Sequence, residues 1–147
     1  MQLSDNFSLS EFTVSQTALR RGIDNTPTPI ALYNLRRLCK TVLEPVRTLL
    51  AAPLHVDSGF RSLILNNHVG GSATSAHMEG RAADIKPIGF DLTHAFALIR
   101  ASDIQFDQII LECNAWIHIS IADENHPNRR MAMMASGDPG HWVYNYV

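Results

Sequence analysis

His77 and Asp84 stand seven positions apart, with Gly80, Ala82 and Ala83 among the residues between them. His118 follows inside the apolar run 116–121. Two histidines and one carboxylate are the ligand set of a catalytic zinc that keeps its fourth position for water. Hydrolysis also needs a carboxylate that can take a proton from that water. Glu112 closes the apolar run Ile109-Ile110-Leu111 and lies a short turn away from His118, so it is placed to be that group. Arg61 follows Ser58-Gly59-Phe60 at a turn after an expected strand. There a guanidinium can aim into a cleft, to bind a substrate carboxylate bidentately or to stabilise an oxyanion. His55, His68, His94, His126 and His141 lack such company and read as surface or structural histidines. No compact metal signature such as HExxH is present. Spacing alone therefore leaves a metal site beside the plainer reading of a metal-free adaptor whose histidines are incidental.

These residues need elements to hold them. Ser8-Leu9-Ser10-Glu11 fits a capping box, with Phe7 and Phe12 placed as a hydrophobic staple, so a short helix is expected from residue 9. Residues 17–22 can form a second short helix ending at Gly22. Thr28 as N-cap and Pro29 as first helical residue open the longest helix. Leu32, Leu35, Leu38, Cys39, Val42, Val46 and Leu49 form its apolar stripe. Pro45 should kink it near residues 41–43. Strands are expected over 54–57, 82–86, 106–111 and 116–121, with a weak one over 131–134. Short helices are expected over 61–68 and 92–101, the latter capped by Asp91, and 72–78 reads as loop. The link Cys113-Asn114-Ala115 makes the two best strands a hairpin. Residues 137–140 read as a turn before an aromatic tail in which His141, Trp142 and Tyr144, like Trp116, either line a cleft or simply pack. Helices first and strands later predict an α+β fold, with N-terminal helices packed on a mainly antiparallel sheet.

The 147 residues suit a single domain, 1–147, with room for a core. A hydrophobic content of 46% and a charged content of 18% argue for a globular chain. The formal net charge is −2, and the arginine pairs at 20–21, 36–37 and 129–130 are too sparse for a polybasic patch, so no nucleic-acid partner is expected. No apolar run reaches membrane-spanning length, and no membrane partner is expected. Cys39 and Cys113 are expected to be two buried free thiols. Residues 1–6 lack a basic region followed by an apolar core, so synthesis in the cytoplasm without a signal peptide is expected.

Taken together, Ser58-Gly59-Phe60-Arg61-Ser62, Leu65-Asn66, Val69-Gly70-Gly71-Ser72 and Ser75-Ala76-His77 through Gly80, Ala82 and Asp84 resemble the LAS zinc peptidases. These are the D-Ala-D-Ala carboxypeptidases and L-Ala-D-Glu endopeptidases of the bacterial cell wall, whose metal-site fold is shared with hedgehog domains. Trp116-Ile117-His118-Ile119-Ser120 resembles the family's third-ligand strand, and segments 7–12 and 23–27 resemble a phage-type subgroup. The resemblance covers roughly residues 5 to 121. It implies zinc as cofactor, His77, Asp84 and His118 as its ligands, Glu112 as general base and acid, and Arg61 as oxyanion stabiliser. Many members place the glutamate three residues before the last histidine, where this chain has Ala115. Glu112 lies six before, as in the phage-type and hedgehog-like branch, with Asp107 and Glu79 as lesser alternatives. The implied substrate is the peptide stem of peptidoglycan, cleaved as a carboxypeptidase or an endopeptidase. A monomer is expected, acting on the cell wall after release through a membrane pore, as a phage endolysin would. A host-encoded or prophage-derived enzyme fits as well. The alternative is a zinc-containing, non-catalytic binding domain of the same fold.

Overall fold

The computed structural model describes residues 1–138 and 140–147. Helix α1 (Leu9–Thr13) starts as its capping box predicts: the Ser8 N–H donates to Glu11 Oε2 at 2.7 Å. Phe7 and Phe12 meet edge to face, with ring centroids 6.0 Å apart. Helix α2 (Gln16–Arg21) ends on Gly22 in the left-handed conformation. Helix α3 (Pro29–Leu38) is capped by Thr28, whose side chain accepts from the Ala31 N–H. A π-helical turn (Cys39–Leu43) then leads into α4 (Glu44–Leu50). Pro45 has no N–H to donate back to residue 41, and the ladder widens into the π-helical turn over the residues where a kink is expected. The widened turn carries one extra residue, which rotates the following stripe. Leu50 is buried where Leu49 was expected, and Leu49 is exposed.

The remaining elements are β1 (Leu54–Ser58), α5 (Leu63–His68), a 3-10 turn (Ala76–Glu79), β2 (Ala82–Pro87), α6 (Leu92–Ala101), β3 (Gln108–Glu112), β4 (Trp116–Ser120), β5 (Met131–Asp138) and β6 (His141–Tyr146). The strands form one six-stranded sheet in the order β1-β2-β4-β3-β5-β6. All neighbours are antiparallel except the β3–β5 pair. This is the expected α+β fold.

Side-chain alternation gives the sheet two different faces. Ala83 and Ile85 of β2, Ile117 and Ile119 of β4, and Ile109 and Leu111 of β3 are buried with Leu35, Leu38 and Val42 of the long helical segment and Phe96 and Ile99 of α6. The opposite face carries Asp84, His118, Trp116, Ile110 and Glu112 and opens into a cleft. The burial of these apolar residues fixes the register of the sheet, and that register sends Asp84, Glu112 and His118 to the other side.

Three local expectations change. Cys113 is exposed, because it sits in the β3–β4 turn with φ 49° and not on a strand; Cys39 is buried as expected. The segment read as loop before Gly80 contains the 3-10 turn. The aromatic tail is a strand: β5 runs on to Asp138, and β6 pairs with it from His141↔Asp138 to Tyr146↔Met133. Trp142, Tyr144 and Tyr146 alternate with His141, Val143 and Asn145, a period-two strand signal, although no residue of β6 is buried. Of the expected turn at 137–140, residues 137 and 138 belong to β5, Gly140 forms a turn, and Pro139 lies outside the described residues.

Candidate metal centre and cleft

Asp84 of β2 and His118 of β4 are direct cross-strand partners, so their side chains leave the same face at the same level. His118 Nδ1 lies 3.0 Å from Asp84 Oδ1. His77 arrives from the 3-10 turn, which Ser75 caps by accepting from the His77 N–H and which Gly80 ends at φ 71°. A Cβ on Gly80 would lie 2.3 Å from the Ala31 carbonyl oxygen, so α3 packs hard against the end of this turn. His77 Nε2 reaches to 3.3 Å from Asp84 Oδ1, and the two imidazole rings lie 5.1 Å apart. One ligand atom from each of His77, Asp84 and His118 falls within 4.8 Å of the others.

The donor chemistry fits a cation. His77 Nδ1 is 2.6 Å from the Gly59 carbonyl oxygen, which fixes the proton on Nδ1 because the carbonyl can only accept. Burial lowers the His77 pKa, against the opposing pull of Asp84, and favours the neutral ring. The neutral ring then turns the lone pair of Nε2 toward Asp84. Burial would raise the Asp84 pKa, yet the balance at this carboxyl is downward, with the His118 Nδ1 hydrogen bond at 3.0 Å favouring the ionised form. A lone pair and a carboxylate oxygen at 3.3 Å repel unless a positive species stands between them. Two ligand atoms on a tetrahedral zinc with bonds of 2.0–2.2 Å are about 3.4 Å apart, close to the spacings here. A histidine whose second nitrogen donates to a backbone carbonyl is the usual arrangement behind a metal ligand.

Arg61 is tied to the same cluster. Its backbone N–H donates to the His77 carbonyl at 3.1 Å, and its Nη2 lies 3.5 Å from Asp84 Oδ2. Asp84 thus divides its oxygens, one toward the histidines and one toward the guanidinium. Glu112 ends β3 opposite Trp116, while His118 faces Ile110. Positions 110 and 112 share a face, and so do 116 and 118, so Glu112 shares the His118 face although six residues separate them. Ala115, three before His118, lies in the turn, where its N–H donates to the Glu112 carbonyl. Burial and then the charge of Asp84 raise the Glu112 pKa, with His118 and Arg61 opposing. A carboxyl pushed toward neutrality is suited to take and return a proton.

The other carboxylates are engaged elsewhere. Arg129 donates to Asp107 from Nε at 2.9 Å and from Nη2 at 2.8 Å, and this pairing lowers the Asp107 pKa. Glu79, exposed, accepts from Arg81 Nε at 2.6 Å. Trp116, Trp142 and Tyr144 line the cleft, whose volume is about 530 Å³; His141 is not among its lining. Tyr144 is there because Glu112, Ala135 and Tyr144 form one row across β3, β5 and β6. Arg129 and Gln108 also line the cleft and were not singled out from the sequence, where an arginine in a polar loop and a glutamine within an expected strand carry no signal. Among the described residues no other group of three metal-ligating side chains occurs.

The α+β fold thus brings a His–Asp–His cluster, with His77 and Asp84 buried, beside a carboxyl and an arginine, the side chains that a metallopeptidase site uses. Residues 5–120 match the sequence model of the peptidase M15 family, and the chain belongs to that family of zinc-dependent peptidases. No curated protein matches the chain.

Proposed function

We propose that this protein is a zinc peptidase that hydrolyses an amide bond in the peptide stem of bacterial peptidoglycan, as a D-Ala-D-Ala carboxypeptidase or an endopeptidase. The convergence of His77, Asp84 and His118 with Arg61 and Glu112 in one cleft is the observation that carries the reading. Membership of the peptidase M15 family supports the reaction class, and the sequence resemblance to cell-wall peptidases supports the substrate.

His77, Asp84 and His118 would hold the zinc. When bound, it supplies the Lewis acidity that brings the pKa of water toward neutrality and polarises a carbonyl. Glu112 takes a proton from the attacking water, whose oxygen forms the new bond to the scissile carbonyl carbon. Arg61 presents N–H groups to the carbonyl oxygen as negative charge builds on it. Glu112 then delivers its proton to the amine nitrogen as the C–N bond breaks. Asp84 steers the Arg61 guanidinium, and Gly59 holds the His77 ring.

On this reading the protein acts on the cell wall as a monomer, which suits a phage endolysin released through a membrane pore. Digestion of purified peptidoglycan followed by mass spectrometry of the fragments tests the proposal and identifies the bond. Loss of D-Ala or cleavage of the stem is expected, abolished by a chelator and restored by zinc. Intact stems after incubation with the zinc-loaded protein would favour a non-catalytic binding domain. Cleavage that survives chelation would refute the zinc mechanism.

A further inference from the structure

Asn66 has no part in the chemistry above, yet it is fully buried in α5 beside the cleft. Its carboxamide is held in one orientation from both ends. Oδ1 accepts from Arg61 Nη1 at 3.2 Å, and Nδ2 donates to the Ser72 carbonyl at 2.9 Å. Arginine can only donate and a carbonyl can only accept, so only this orientation of the amide satisfies both neighbours. Arg61 is anchored at two further nitrogens, by Nε to Ser58 Oγ at 3.2 Å and by Nη2 near Asp84 Oδ2 at 3.5 Å. One contact at each of its three nitrogens fixes the guanidinium plane. Two of its five N–H groups are hydrogen-bonded, at Nε and Nη1. The Nη2 end is held near Asp84 as an ion pair, so N–H groups on Nη1 and Nη2 remain for a substrate oxygen.

Gly71 closes the arrangement. Its N–H donates to the Asn66 carbonyl at 2.9 Å. A Cβ at Gly71 would stand 2.0 Å from Asn66 Oδ1 and 2.9 Å from Arg61 Nη1. Gly71 does not have a positive φ, so what demands glycine here is space and not backbone conformation. Residues 69–72 line the cleft, so the same amide ties the cleft wall to the guanidinium.

We propose that Asn66, wedged by Gly71, is a positioning residue that holds Arg61 at the angle from which it meets the substrate carbonyl. What Arg61 does there rests on the peptidase reading; that Asn66 and Gly71 hold it does not. The test uses the zinc-loaded protein with Asn66→Ala, Gly71→Ala, Arg61→Ala and the double variant Arg61→Ala/Asn66→Ala. Zinc content and thermal unfolding are measured on each. Against peptidoglycan fragments, Asn66→Ala and Gly71→Ala should each lower kcat by about 10- to 100-fold with KM nearly unchanged. In the Arg61→Ala background, Asn66→Ala should lower kcat by less than about threefold, because the group it positions is gone. A full further loss in the double variant would overturn the proposal. Independently of activity, nitrogen NMR of the Arg61 guanidinium should show distinct, slowly exchanging Nη signals in the parent protein that merge in Asn66→Ala and Gly71→Ala. Signals that stay distinct in both variants would overturn it. Should Asn66→Ala fail to fold, Gly71→Ala, which removes no buried polar group, gives the same reading. A parent protein that hydrolyses no stem peptide would defeat the peptidase reading, while the NMR result would still decide whether the clamp exists.

Discussion

At Glu112, burial and the nearby charge of Asp84 act in one direction, raising its pKa from the ordinary value of 4.5. A carboxyl with a raised folded-state pKa binds its proton more tightly folded than unfolded. Glu112 therefore favours the fold at low pH and costs stability as the pH rises through that pKa. In the metal-free protein the Glu112 carboxyl carbon should titrate above 4.5 by NMR, and zinc should move the midpoint down, since a cation at the ligand cluster opposes Asp84. A midpoint at or below 4.5 without metal would show that Glu112 is not poised as a base. Glu112→Gln keeps the shape and removes the proton acceptor. It should lower kcat by about 10²- to 10⁴-fold with zinc content unchanged. A loss of zinc together with activity would instead make Glu112 a ligand.

The elements matter through the distances they enforce. Gly59 lies under α1, where a Cβ would come 2.6 Å from Phe12 Cα, and the Phe60 N–H donates to the Phe12 carbonyl at 2.7 Å. The Gly59 carbonyl is also the acceptor that orients His77. The capping box and aromatic staple of α1 thus reach the metal cluster through one residue. Gly59→Ala should destabilise by about 1–3 kcal/mol, because backbone atoms must shift to admit the methyl group. It should also weaken zinc binding by about 10- to 100-fold, as loss of the carbonyl behind a ligand histidine does. Calorimetric unfolding and zinc titration check the two effects. Unchanged zinc affinity in a destabilised variant would separate α1 from the site. The β3–β4 hairpin works in the same way: its register decides which carboxylate shares the His118 face, and a glutamate at position 115 would sit in the turn.

Across the whole molecule, α3, the π-helical turn, α4 and α6 cover one face of the sheet, and the cleft occupies the other with α5 beside it. The apolar core of Phe12, Leu35, Ile85, Ile109, Ile117 and Ile119 includes none of the metal-cluster residues. The protein should therefore stay folded without zinc, with its far-UV circular dichroism unchanged. Zinc at about 100 times its Kd should add roughly 2.7 kcal/mol, raising Tm by about 8 °C for a domain of this size. Loss of secondary structure on chelation would show that the metal is part of the fold. In either case His77→Ala should abolish the zinc-dependent rise in Tm, because it removes one of the three proposed ligands.

The α1 cap, the Thr28-Pro29 helix start, helix α6 over residues 92–101 and the β3–β4 hairpin were legible in the sequence. Each is set by neighbours a few residues away, through capping hydrogen bonds, side-chain period and turn length. His77, Asp84, His118, Glu112 and Arg61 could be nominated because their types and spacing match a hydrolytic site. The sequence could not say that Asp84 and His118 are exact cross-strand partners, that Gly59 fixes the His77 tautomer, or that Asn66 and Gly71 hold Arg61. Those contacts join residues from separate elements, and only the closing of the sheet against the helices brings them together. Strand β6 was not expected, although Trp142, Tyr144 and Tyr146 alternate along it, because none of its residues is buried and its pairing with β5 is made only in the folded chain. Local physics wrote the elements into the chain; the geometry of the cleft exists only once the sheet has its register.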